Sequence, residues 1–216
     1  MTPDAASPEP AWSALRHRGF ALFFASRISA TFATQIVSVA VGWQVYDLTR
    51  DPFDLGLVGL VQFLPALLLV LVTGAVSDRF NRRLIVALCQ VAEGARAGIL
   101  LAVTVAGAAS ALAVFAVLAV FGTARAFMNP ASQSLIPNLV PAEALSSAIA
   151  LSSAAWQTAV ILGPVAGGLL YGIGPGAAYL VALMLFLAAA VIVVLVPKPP
   201  QKTLPERPTW GTVIAG

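Results

Sequence analysis

The chain has 216 residues, of which 59% are hydrophobic and only 10% charged, and its mean hydropathy is +0.92. A soluble domain carries about a quarter charged residues, so this composition points to a membrane protein and leaves no room for a separate soluble catalytic domain. The formal net charge of +3 gives no support to nucleic-acid binding, and the single cysteine, Cys89, has no partner for an intrachain disulfide.

A bilayer-spanning helix needs about 20 mainly apolar residues, and the chain supplies about six such runs, which predicts an all-α, integral membrane six-helix bundle. Residues 1–18 hold Pro3, Pro8 and Pro10 and end in Arg16, His17 and Arg18, with no apolar core or cleavage site. They read as a cytoplasmic tail rather than a signal peptide. The first span is predicted over Phe20 to Tyr46 and is broken by the segment DLTRDPFD. The second, Leu55 to Val76, ends in the charged stretch SDRFNRR, and the third, Leu84 to Ala106, ends in a tight hairpin at GAAS. The fourth covers Ala111 to Met128 and is followed by a loop bearing Asn129, Pro130, Pro137 and Pro141. The fifth runs from near Glu143 to Tyr171, and the turn GIGPG leads to the sixth, Ala177 to Val196. The bundle thus occupies residues 19–196, and the Pro-rich, basic residues 197–216 read as a cytoplasmic linker.

Cytoplasmic loops concentrate Lys and Arg. With the amino-terminal tail inside, the inner segments hold Arg16, Arg18, Arg79, Arg82, Arg83, Lys198, Lys202 and Arg207, and the outer loops hold only Arg50. Both termini are then cytoplasmic, which demands an even number of spans. The charges played no part in choosing the spans, so the agreement supports both.

Few residues can carry chemistry. His17, the only histidine, lies before the first span, which leaves no intramembrane Ser-His pair and no His-rich metal site. No phosphate-binding GxxxxGK[ST] loop occurs, so neither ATP hydrolysis by that motif nor any other enzymatic activity is expected. No cofactor or metal is expected either. Ionisable residues inside spans are costly and call for a pairing partner or a watery cavity. Glu93 and Arg96, three apart on the third helix, occupy neighbouring turns of one face; they either neutralise each other or handle protons or substrate. On the first helix Arg27, Thr31, Gln35, Ser38 and Gly42 form a polar stripe, which fits either a bundle interior or interhelical hydrogen bonding. Arg125 near the inner end of the fourth helix is a further candidate. On the fifth helix Ala155, Ala159, Gly163 and Gly167 recur every four residues, a spacing that lets two backbones approach closely. Pro164 among them is expected to bend that helix.

The inner loop Gly74-Ala-Val-Ser-Asp78-Arg79-Phe-Asn81-Arg82-Arg83 resembles the signature loop of the major facilitator superfamily. The string ILGPVAGG, containing Gly163, Pro164, Gly167 and Gly168, is similar to the fifth-helix motif of its antiporters. The segments WQVYDLT, LGLVGLVQFLP and RAFMNPASQSLIPNLVP are further similar to the branch containing the enterobactin exporter and related multidrug efflux proteins. The resemblance implies that Asp78 and the arginines around it latch the transporter halves on the cytoplasmic side. Two departures stand out. Asn81 replaces the usual Gly of the loop, and Asn also accepts the left-handed backbone a tight turn can require. Asn129 stands four residues after Arg125, where the antiporters often carry Gly.

Members have two pseudo-symmetric six-span halves with the substrate site between them, and the resemblance covers the amino-terminal half. The expectation is therefore the amino-terminal half of a proton-linked efflux transporter of a bacterial-type inner membrane, exporting amphipathic small molecules. It would be a fragment, a truncated product, or a subunit completed by a second six-helix half. The alternative is a membrane scaffold whose small-residue fifth helix only mediates association. The topology is directly testable. A reporter fused after Lys198 is expected on the cytoplasmic face and one inserted at Arg50 on the opposite face; the reverse pattern would invert the assignment.

Overall fold

Inside a bilayer every backbone N–H and C=O must be satisfied within the protein, so an apolar chain of this kind has to form helices. The computed structural model describes residues 11–79 and 81–197, with side chains throughout except at 11, 66, 70–79, 129 and 130. Six helices of 20 to 32 residues are long and apolar enough to cross a membrane. They are α1 (Arg18–Thr49), α2 (Pro52–Arg79), α3 (Arg82–Val105), α4 (Ala111–Leu135), α5 (Leu145–Ile173) and α6 (Pro175–Val194). Among the described residues the remaining elements are short 3-10 turns, and no strand occurs.

The connections show why the helices stop where they do. Between α1 and α2 only Arg50 and Asp51 intervene. Arg50 adopts a left-handed backbone (φ 56°) and its N–H bonds back to the Tyr46 carbonyl at 2.8 Å. Asp51 Oδ1 then accepts the Phe53 N–H at 2.9 Å, and Pro52 takes the first helical position, where its missing N–H costs nothing. The break expected over the whole DLTRDPFD segment is thus confined to its centre. Ser110 caps α4 by accepting the Ala113 N–H at 3.3 Å.

Two further differences from the sequence reading concern prolines and the tail. α4 runs on to Leu135, so Asn129 and Pro130 belong to the helix rather than to the following loop. A proline removes one helical hydrogen bond, a loss that packing against neighbouring helices offsets. Residues Ala11–Arg16 form a 3-10 turn that packs on α5, with Ala14 fully buried. That part of the expected cytoplasmic tail packs on the bundle.

In the packing, α6 lies between α1 and α3, α4 between α3 and α2, and α5 against α1. The apolar core divides into two clusters. One gathers Val37, Val41, Leu100, Leu118 and Phe186; the other gathers Phe20, Phe23, Val86, Leu135 and Val193 toward the opposite end of the bundle.

The small-residue face of α5 meets α1. A Cβ added at Gly163 would lie 2.5 Å from Gln35 Cβ, and one at Gly167 would lie 3.1 Å from the Ile36 Cα and the Val39 Cβ. Gly168 points elsewhere, with nothing within 4 Å of an added Cβ. α5 continues as one helix through Pro164. The end of this crossing is fastened by Tyr171 Oη donating to Asp47 Oδ2 at 2.8 Å, and by the stacked rings of Trp43 and Tyr171 with centroids 6.5 Å apart.

These distances separate the glycines of one motif. Gly163→Ala is expected to destabilise the detergent-solubilised protein by about 1–3 kcal/mol, an overpacking cost, whereas Gly168→Ala leaves the thermal midpoint unchanged. Equal midpoints for the two variants would contradict the close α1–α5 approach.

Candidate functional site

α1 and α4 touch little, and a recess of about 650 Å³ opens between them, walled by α1, α3, α4 and α5. Its polar lining includes Arg27 and Gln35 from α1, Glu93 from α3, Arg125 from α4 and Gln157 from α5, with Trp156 supplying an aromatic face. The predicted stripe on α1 is therefore split. Arg27, Thr31 and Gln35 line the recess, while Ser38 and Gly42 lie farther along α1 and do not. The Thr31 hydroxyl is turned back onto its own helix, donating to the Arg27 carbonyl at 2.8 Å.

Glu93 and Arg96 form an ion pair, Arg96 Nη2 to Glu93 Oε2 at 2.5 Å, with both side chains almost completely buried. Helical spacing brings them together, since residues three apart share a face. Glu93 also borders the recess, whereas Arg96 lies behind it. Apart from this pairing, Glu93 Oε1 and Arg96 Nε and Nη1 have no hydrogen-bond partner among the described residues. Arg125 reaches Gln62 Oε1 on α2 at the long distance of 3.5 Å. Arg27 has neither an ion pair nor a side-chain hydrogen bond among the described residues, and it also borders an adjoining nook with Ser152 and Trp156.

Two polar bridges hold the helices behind this recess. Gln90 Nε2 donates to Ser26 Oγ at 2.9 Å, and Ser26 Oγ donates to the Ala189 carbonyl at 2.8 Å, which joins α3, α1 and α6. Farther along the same three helices, Tyr179 Oη donates to Gln44 Oε1 at 2.6 Å and Gln44 Nε2 donates to Thr104 Oγ1 at 2.8 Å. Sequence reasoning missed these residues. Gln90 carried a usable signal, because it sits one turn before Glu93 on the same polar face of α3; Gln44 and Tyr179 became informative only once their helices were adjacent.

Of the loop motif, Gly74, Asp78 and Arg79 fall in the last turns of α2, and their side chains lie outside the described residues. The described arginines do local work. Arg83 Nη1 donates to the carbonyls of Val194, at 3.2 Å, and Val196, and so caps the end of α6. Arg82 Nη1 donates to the Ser134 carbonyl near the end of α4 at 3.3 Å. Cations at helix C-termini are favoured by the dipole and by the unpaired carbonyls there. Asn81 is the cap of α3, its Oδ1 accepting the Arg83 N–H at 3.1 Å. Its backbone is extended (φ −64°), so the turn makes no use of a left-handed residue at this position. Of the fifth-helix motif, Gly163 and Gly167 are buried against α1, and Pro164 and Gly168 are half-buried away from that contact.

Six helices able to cross a membrane, four of them walling a polar recess with a buried ion pair beside it, mark a multi-pass membrane protein. The chain belongs to the family described as transmembrane secretion effector, within the major facilitator superfamily, and matches it over residues 9–216. No curated protein and no solved structure matches it.

The buried pair makes a stability prediction. Arg96→Met alone leaves Glu93 uncompensated and is expected to cost about 3–5 kcal/mol, while Glu93→Gln combined with Arg96→Met recovers most of that loss. If the double variant unfolds as early as Arg96→Met alone, the two groups are not coupled.

Proposed function

We propose that this chain is the amino-terminal half of a secondary active efflux transporter that moves amphipathic small molecules out of the cytoplasm by alternating access, driven by proton antiport. The observation that carries the reading is the recess of about 650 Å³, a volume suited to a small organic molecule, with polar and aromatic walls contributed by four helices. A second six-helix half, on the same or another chain, would supply the opposite wall. The sequence likeness to the branch containing the enterobactin exporter and multidrug efflux proteins supports export as the direction. The excess of Lys and Arg on one side supports both termini being cytoplasmic, and the family likeness suggests a cell inner membrane of bacterial type.

Roles follow from position. Glu93 is the proposed protonation site, because it is the carboxylate among the described residues that borders the recess. Protonating it would dissolve the ion pair and free Arg96, which gives a charge change inside the bundle a structural consequence. Gly74, Asp78, Arg79, Arg82 and Arg83 would form the cytoplasmic latch between halves, with Arg82 and Arg83 tying that loop to α4 and α6. The α1–α5 contact at Gly163 and Gly167 would be the packed surface along which motion is accommodated. The scaffold alternative gains nothing from these glycines, since α1 of the same chain already occupies their face.

The test is reconstitution in proteoliposomes with an imposed pH gradient, using a fluorescent amphipathic dye. Transport is expected once the chain is paired with a second six-helix unit, either a co-expressed half or its own copy at high protein-to-lipid ratio. Absence of transport in every combination would defeat the transporter reading. Glu93→Gln should reduce gradient-driven flux by about a hundredfold or more, the lower end for loss of a proton-transfer group, and full retention of proton-driven flux would remove Glu93 from the mechanism.

A further inference from the structure

We propose that the recess selects organic anions: small molecules with an aromatic or apolar body and a carboxylate or similar acidic group, held by Arg27 and Arg125. This rests on reading the recess as the substrate site. The charges of its described lining are Arg27, Arg125 and Glu93. Glu93 is neutralised from behind by Arg96 in the 2.5 Å ion pair, so the wall keeps two guanidinium groups with no carboxylate of their own among the described residues. An uncompensated cation at membrane depth is costly, and such groups pair with a counter-ion where one is supplied. Among the described residues Arg125 has only the neutral Gln62 amide, at 3.5 Å. Arg27 has no side-chain partner among the described residues, and it stands between the recess and the nook where the buried Ser152 hydroxyl also lacks one among them.

The chemistry at this corner fits an acidic group. A guanidinium presents several N–H donors in a planar fork that matches a carboxylate, and Ser152 adds an O–H donor beside it. Trp156 borders both the recess and the nook, which places an aromatic face next to the anion-binding group and suits an aryl acid. A cationic solute would meet Arg27 and Arg125 with its own sign, and the carboxylate on this wall is already engaged by Arg96. Glu93 and the two arginines thus have separate tasks, with the arginines setting the sign of the charge that enters.

The experiment compares three probes of one shape, naphthylacetate, naphthylacetamide and naphthylethylammonium, by equilibrium dialysis against the full chain in lipid nanodiscs, with empty nanodiscs as the blank. Naphthylacetate is expected to bind at least about tenfold more tightly than the other two, the scale of one charged hydrogen bond. Arg27→Gln and Arg125→Gln should each weaken the anion by about tenfold and move the amide less than about twofold, and Arg27→Lys, which keeps the charge but loses the planar fork, should fall between the wild type and Arg27→Gln. Equal or tighter binding of the amide or ammonium overturns the proposal, as does absence of binding by all three. Parallel weakening of all probes in the glutamine variants, the mark of a merely structural role, overturns it too. Flux of the same probes in proteoliposomes separates the two readings: transport of the ammonium or amide in preference to the anion keeps the transporter and removes anion selectivity, whereas selective anion binding without flux of any probe does the reverse.

Discussion

Two side-chain amides, Gln90 and Gln44, organise this bundle, because in hydrocarbon a polar group without a partner has no water to turn to. Gln90 reaches Ser26 and, through it, the Ala189 carbonyl; Gln44 accepts from Tyr179 and donates to Thr104. Each bridge joins α3, α1 and α6, and together they fix the rotation and depth of those helices relative to one another. Apolar packing alone is permissive here, since lipid tails solvate Leu and Val as well as a neighbouring helix does. Individual interhelical hydrogen bonds are worth only about 0.6–2 kcal/mol, yet they penalise every rotation that leaves their members unpaired.

Once α1, α3 and α6 are fixed, the rest of the arrangement follows. α5 comes close to α1 because Gly163 and Gly167 carry no Cβ to hold it off, and α4 packs on α2 and α3 instead of on α1. The space between α1 and α4 is the recess. The apolar clusters toward either end of the bundle leave the charged residues Arg27, Glu93 and Arg125 together at its wall. At the start of α3, Arg82 and Arg83 hold carbonyls at the ends of α4 and α6. These two arginines therefore serve as helix caps.

Much of the fold was legible before any coordinates. Composition and run length placed six spans to within a few residues at most ends, and the loop and fifth-helix motifs identified the superfamily to which the chain belongs. The misses have physical causes. Asn129 and Pro130 looked like the start of a loop because Pro breaks isolated helices, but α4 carries them within a packed bundle. The Arg27-to-Gly42 stripe looked continuous because helical spacing treats its members alike, whereas only Arg27, Thr31 and Gln35 line the recess, and α5 packs onto α1 from Gln35 to Val39. At Asn81 the local sequence was compatible with a left-handed turn, and the backbone adopts an extended cap instead.

What the sequence determined by itself is everything set by local chemistry and by the bilayer as solvent. Apolar runs must be helices because their backbone groups have no other partner, and Glu93 and Arg96 must meet because three residues of α-helix place them on one face. Tertiary structure alone decided which polar residues became structural ties and which face the recess. Gln90 and Arg27 are both polar interruptions in apolar helices, but the first finds Ser26 across an interface and the second finds no partner among the described residues. That distinction depends on what lies opposite each side chain, a relation between residues far apart in the chain that periodicity along one helix does not encode.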